Sequence, residues 1–304
     1  MSLKEKLKKK CKNCTESSIK VYIRNIRRIY KLSGGTKDNV PLDKRWVNSK
    51  TLIDKYKKIK VNIRRHLSLA AVKFLQTIGE KHDTWSTRME QDSIQYKAHR
   101  NKNIKSSSEK ERWLKNGWKD IRKAATEFWR RNKISILKEP HTIRKLYNYQ
   151  TFMILRLFSE IPFRNTFATF ELEDKNENNY IRVPKKGSII LVVRDYKNSK
   201  QLGSKEIKLS RGLTTQVRKF LKYRSGVVDN NYFLNNIRGE KMTRSAMGKM
   251  LIRNTSKLLN KRVGSRIIRL LAASDNKESI DKLQDLSNKL LHTSEQTKQY
   301  VRKD

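Results

Sequence analysis

Ser188-Ile189-Ile190-Leu191-Val192-Val193, followed by Arg194-Asp195-Tyr196-Lys197, opens with a β-branched apolar run in a chain whose other apolar residues fall mostly at helical spacing. Such a run, bounded by turn residues, reads as a strand. Weaker strand candidates flank it at Tyr180–Val183 and Lys205–Leu209, with Gly187 and Gly203 in the turns. Three short strands joined by tight turns predict one small antiparallel sheet. Around them the spacing predicts helices over 141–160, 212–224, 243–259, 261–274, 278–291 and 294–303. The second half is therefore expected to be α+β and mostly helical.

The first half carries no comparable strand. Residues 1–14, with Lys4, Lys6, Lys8, Lys9 and Lys10, read as a basic tail. From Thr15 or Ser18, an apolar stripe of Ile19, Tyr22, Ile23, Ile26, Ile29 and Tyr30 predicts a helix, stopped by Ser33-Gly34-Gly35. A second stripe, Ile63, Leu67, Ala71, Phe74 and Ile78, stops near Gly79. A third helix is predicted over 84–98, with Trp85, Met89 and Tyr96 facing the core. A fourth shows Leu114, Trp118, Ile121, Ala125 and Phe128. The fold class expected is mostly α (α+β): a helical bundle over 15–132, a break at Asn132–Pro140, and a second domain over 139–304.

Charge is the strongest global signal. The 304 residues hold 72 Lys and Arg against 29 Asp and Glu, a net charge of +43. The surplus runs through the whole chain, so each domain is suited to a polyanion. Hydrophobic content of 36% supports real cores and excludes wholesale disorder. No run of about 18 apolar residues occurs, so no membrane span is expected. The N-terminus lacks the apolar stretch of a signal peptide. Cys11 and Cys14 are half of a zinc set without a second pair, so no metal site is expected. So few cysteines suit a reducing compartment.

Near the C-terminus stands Leu290-Leu291-His292-Thr293-Ser294-Glu295-Gln296-Thr297-Lys298-Gln299-Tyr300. A tyrosine hydroxyl attacks phosphate when cations hold the phosphate oxygens and stabilise the charge that builds there. Upstream are Arg164, just after a helix in Ile161-Pro162-Phe163-Arg164-Asn165, and Lys197, in the turn after the middle strand. Arg269 follows in Ser265-Arg266-Ile267-Ile268-Arg269. This order of Arg, hairpin Lys, Arg, His and Tyr resembles the tyrosine recombinases, also called the phage integrases. The resemblance covers residue 140 onward. The helical first half resembles their core-binding domain only in composition and position. Pro162-Phe163-Arg164-Asn165, and a chain ending soon after Tyr300, look most like the integrases of large eukaryotic DNA viruses, virophages and related mobile elements.

The resemblance implies a catalytic set of Arg164, Lys197, Arg269, His292 and Tyr300. The two arginines and His292 would grip the scissile phosphate of double-stranded DNA. Lys197 would protonate the leaving 5′ oxygen, with Lys200 as the competitor for that role. Tyr300 would form a 3′-phosphotyrosyl bond that conserves the energy of the cut, so no cofactor is expected. Three positions depart from the pattern. Arg266 stands where a histidine or lysine is usual, Asn165 and Thr166 where an acid usually steadies the first arginine, and Leu291 where glycine usually precedes the histidine. The alternatives are a non-enzymatic basic DNA-binding protein, as a degenerate recombinase, and a type IB topoisomerase. A DNA-dependent homo-tetramer is expected, without a helix after Tyr300 to link its protomers. The expected location is intracellular: the nucleus, or the viral factory of an infected host.

Overall fold

The computed structural model describes residues 2–36, 39–102, 104–175, 178–276, 286–290, 296–297 and 300. The chain forms two compact units, Met1–Lys102 and Asn103–Asp304. The boundary expected at 132–139 is thus displaced toward the N-terminus. The helix Lys119–Leu137 runs unbroken through Asn132, whose side chain donates to the Phe128 carbonyl at 2.8 Å. That helix packs along the next one, Ile143–Phe158, and shares its core.

The first unit is built from α1 (Leu3–Lys10), α2 (Glu16–Leu32), α3 (Lys50–Lys57), α4 (Val61–Ile78) and α5 (Asp83–Asn101). The basic tail expected over 1–14 is instead largely helix α1. Ser2 accepts from the Glu5 amide, and Glu5 accepts in return from the Ser2 amide at 2.7 Å. Leu3 and Leu7, one turn apart, give this lysine-rich helix an apolar edge, and Leu7 is buried. Against the reducing setting expected from so few cysteines, a disulfide joins Cys11 to Cys14 in the turn that follows. Thr15 caps α2 as expected, and Ile19, Ile26 and Ile29 line its inner face. Helix α4 buries Leu67, Ala71 and Phe74 and ends on Gly79, whose φ of 81° is left-handed backbone that glycine adopts without strain.

The expected core role of α5 holds for Trp85. The same helix also buries an acid, Asp92. Its carboxylate accepts from the Tyr56 hydroxyl and, at 2.5 Å, from Arg64 Nε. Charge-assisted donors make such a buried acid tolerable. Burial, together with that carboxylate, pushes the Tyr56 phenol up.

The second unit starts with α6 (Ser107–Arg112), α7 (Lys119–Leu137) and α8 (Ile143–Phe158). Thr142 caps α8, and Leu146, Met153, Ile154, Leu157 and Phe158 make it the buried axis of the unit. The sheet follows: β1 (Tyr180–Arg182), β2 (Ile190–Val193) and β3 (Lys205–Lys208), antiparallel in that order. Leu191 pairs with Ile181 on one side and Ile207 on the other. Leu191, Val192 and Val193 are all buried, which is why β2 reads as an unbroken apolar run. Between β2 and β3 lies the single-turn helix α9 (Ser199–Leu202). Then come α10 (Arg211–Ser225), α11 (Arg244–Leu259) and α12 (Ser265–Asp275). Residues 286–290 are helical, inside the helix expected over 278–291.

One glycine ties α7 to α12. Gly117 has φ 65°, and a Cβ there would lie 2.3 Å from Asp275 Oδ1. Asp275 in turn accepts the Trp118 amide at 2.7 Å. Gly117→Ala therefore adds left-handed strain and displaces the acceptor of the Trp118 amide. We expect a loss of about 1–3 kcal/mol, measured as a lower melting temperature and denaturation midpoint. An unchanged midpoint would mean that the Asp275 contact contributes nothing.

Candidate active site

Arg164 stands where α8 has ended and a 3-10 turn, Asn165–Thr169, begins. Phe163 and Phe167 are both fully buried with ring centroids 4.9 Å apart, and Phe167 meets Phe158 of α8 edge-on at 5.2 Å. This aromatic anchor fixes the backbone on both sides of Arg164, whose side chain is half-buried. No acid follows Arg164, but Asn165 takes a place in the frame. Its Nδ2 donates to the Arg244 carbonyl at 2.9 Å, against α11. Gly248 leaves the room, since a Cβ there would sit 2.7 Å from that nitrogen.

Lys197 is exposed in the turn after β2. Asn179, 1% exposed, holds the base of that turn. Its Oδ1 accepts from the amides of Arg194 at 2.7 Å and Asp195 at 2.8 Å. Its Nδ2 donates to the Asp195 carbonyl at 2.9 Å and to Thr169 Oγ1 at 2.8 Å. One amide thus spends its full hydrogen-bonding capacity joining the Lys197 turn to the Arg164 segment. A second tie runs from Arg244 to Asp195 at 2.8 Å. Lys200 lies in α9; its side chain is outside the described residues.

Arg269, in α12, is 4% exposed. Its guanidinium lies over the Tyr300 ring, 5.5 Å from the centroid. Burial pushes its pKa down to about 10; the charges of Arg164 and Arg266 act in the same direction, and Tyr300 opposes them. Arg269 stays charged at neutral pH. Its Nε has no hydrogen-bond partner among the described residues. The Tyr300 ring is half-buried against a cluster containing Ala272, Ala273, Leu286 and Leu290.

Arg164, Arg269 and Tyr300, far apart in sequence, are therefore brought to one place. Arg266 lies near them but turns outward, donating to the buried Glu109 at 2.7 Å. His292 and Leu291 lie outside the described residues. Two other tyrosines, Tyr196 and Tyr223, are buried with their hydroxyls given to backbone carbonyls, those of Gly203 at 2.7 Å and Ile136 at 2.8 Å. Burial pushes both phenols up.

The sequence reading missed Asn179, Glu109, Asn165 as a tie to α11, and the pair Asn198 and Gln296. Glu109 had a local signal, since Ser106 and Glu109 form a capping box. The asparagines carried none.

In the first unit, Lys4, Lys20, Arg24, Arg27, Arg28 and Lys31, with Ile23 and Leu32, line a groove of about 670 Å³. Such a concentration of cations on α1 and α2 suits a row of phosphates. Among the described residues no three potential metal-binding side chains come together, and no helix is long and apolar enough to cross a membrane.

No protein-family model matches the chain, and no curated protein matches it in sequence. Solved structures do match. XerH site-specific recombinase in its post-cleavage complex with palindromic difH aligns with a TM-score of 0.61 at 10% identity, over 98% of this chain and 80% of that one. The XerH pre-cleavage complex gives 0.59 at 11%, over 98% and 81%. The Tn1549 transposon integrase with transposon right-end DNA gives 0.54 at 13%, over 100% and 96%. At such identities the likeness establishes architecture: the mostly helical chain with its small antiparallel sheet has the tyrosine recombinase fold.

Proposed function

We propose that this chain is a site-specific DNA recombinase or integrase that cuts and rejoins duplex DNA through a 3′-phosphotyrosyl intermediate. The observation that carries the reading is the buried Arg269 guanidinium set over the Tyr300 ring, with Arg164 close enough to depress its pKa further. Like charges gathered at low dielectric are costly unless an anion completes them. The scissile phosphate is that anion. Arg164 and Arg269 hold its nonbridging oxygens, each guanidinium offering parallel donors that never deprotonate at working pH. Tyr300 Oη forms a bond to phosphorus and gives up its proton to solvent water, while the bond from phosphorus to the 5′ oxygen breaks. Lys197 supplies the proton that this oxygen needs, and His292 adds a donor to the phosphate. Rejoining reverses the step with a new 5′ hydroxyl, so neither ATP nor metal is required.

The recombinase and integrase neighbours that hold DNA support duplex DNA as the substrate. The cationic groove of the first unit supplies further affinity through phosphate contacts, which weaken steeply with salt. A net charge of +43 keeps free chains apart by self-repulsion, and DNA neutralises them so that a homo-tetramer assembles around two duplexes.

Suicide duplexes, nicked so that cleavage releases a short strand, test the reading. A denaturation-resistant adduct is expected in the presence of EDTA, and recombinant joints are expected between two duplexes. Light scattering of the same mixtures should find monomers without DNA and tetramers with it. An adduct with relaxation of supercoils and no joints would favour a topoisomerase. No adduct on any duplex would leave only a DNA-binding protein.

A further inference from the structure

A hydrogen bond ties the Lys197 turn to the tyrosine segment. Asn198 Nδ2 donates to Gln296 Oε1 at 2.8 Å across 98 residues of sequence. Asn198 is 9% exposed, and its carbonyl accepts the amide of Leu202 at 3.0 Å as α9 begins. Its backbone is thus committed to α9 and its side chain to Gln296. On the other side, Gln296 adjoins Thr297, which is fully buried and whose carbonyl accepts the Tyr300 amide at 2.9 Å. The bond therefore runs between the residue after Lys197 and the turn that ends on Tyr300.

We propose that Asn198 is a positioning residue that latches Lys197 to the Tyr300 segment, so that the proton donor and the nucleophile are presented to the phosphate as one unit. This rests on the recombinase reading given above. The physical case is geometric. Lys197 is exposed, and its flexible stem has many rotamers, so it protonates a leaving oxygen efficiently only if its backbone is held where the tyrosine attacks. Asn179 secures the front of the turn through the amides of Arg194 and Asp195. Asn198 secures the rear. An amide pair suits this role, since neither partner titrates and salt does not screen the bond as it screens an ion pair. In the step itself, the Lys197 ammonium passes its proton to the 5′ oxygen as the P–O bond breaks and becomes a neutral amine.

The test compares duplexes with an ordinary 5′-bridging oxygen and with a 5′-bridging sulfur, which leaves without protonation. The unaltered full-length chain must first form the tyrosyl adduct on both; if it forms none, the recombinase reading itself fails. Given the adduct, Asn198→Ala is expected to slow single-turnover cleavage of the oxygen substrate by about tenfold to a hundredfold. The sulfur substrate should be cleaved at close to the unaltered rate. In a Lys197→Ala background, Asn198→Ala should add no further loss, because both act through one proton. The exchanged pair Asn198→Gln with Gln296→Asn keeps the donor, the acceptor and the total length, and should restore cleavage. Equal losses on oxygen and sulfur substrates would overturn the proposal and mark the bond as a clip for the C-terminal segment. Full additivity with Lys197→Ala, or an unchanged rate in Asn198→Ala, would overturn it too.

Discussion

Tyr300→Phe is expected to abolish the covalent DNA adduct while duplex affinity and melting temperature stay nearly unchanged. The ring keeps its seat beside Ala272, Ala273, Leu286 and Leu290, because phenylalanine fills the same space. The Arg269 guanidinium keeps its place over an aromatic face. Only a hydroxyl is lost, with no charge and almost no volume; its hydrogen bond to Arg269 is worth about 1 kcal/mol, a small shift in melting temperature. Tyr196 and Tyr223 do not substitute for it, since their hydroxyls are bound inside the fold to backbone carbonyls. Gel-shift titration, thermal melting and adduct formation on a suicide duplex check the three parts separately. Peptide mapping of the adduct from the unaltered chain should find DNA on Tyr300. DNA on any other side chain would sink the assignment.

Arg269 is expected to show opposite effects on chemistry and stability. Removing a preorganised donor from a developing anion costs about two to three orders of magnitude in cleavage rate. Both Arg269→Lys, which keeps charge but loses the fork, and Arg269→Met should show that loss. Arg269→Met, however, removes a desolvated cation whose Nε has no hydrogen-bond partner among the described residues and replaces it with a shorter apolar chain. Relief of that desolvation outweighs the lost contacts with Tyr300, and a gain of about 1 kcal/mol is expected. The pKa lowered to about 10 has the matching sign, since the unfolded chain binds this proton more tightly and the cost is fully present at neutral pH. Thermal melts of the free protein should thus place Arg269→Met above the unaltered chain. A lower melting temperature for Arg269→Met would mean that Arg269 serves the fold rather than the phosphate.

The sequence was most legible where one residue type determines local structure. Thr15 and Gly79 bound their helices, and Val192 and Val193 mark the buried strand, because capping and β-branching act over a few residues. Helix α1 was missed because six of its charged residues outweigh Leu3 and Leu7 in any reading by composition. The Ser2–Glu5 capping box is the local signal of that helix. The break at 132–140 was misplaced for a tertiary reason: Asn132 is a weak helix former, but α7 continues because its face is committed to α8.

The candidate site divides in the same way. Arg164, Lys197, Arg269 and Tyr300 were recognisable by order and local setting, and the fold brings Arg164, Arg269 and Tyr300 together. The frame around them was not recognisable. The meaning of Asn179 depends on the amides of Arg194 and Asp195, and that of Asn198 on a glutamine near the other end of the chain. An asparagine has no periodicity or spacing that announces such partners, so only the folded backbone reveals them.

The placement of α7 governs how the protein can be dissected. Trp129 of α7 stacks on Phe152 of α8 with ring centroids 4.5 Å apart and also meets Tyr149 at 5.1 Å. A fragment of the second unit cut at residue 139, where the sequence invites the cut, would strip away that cover and leave a greasy strip of α8 bare. Such a fragment would clump in the test tube however sound its chemistry. A fragment beginning near Asn103 takes its own lid with it.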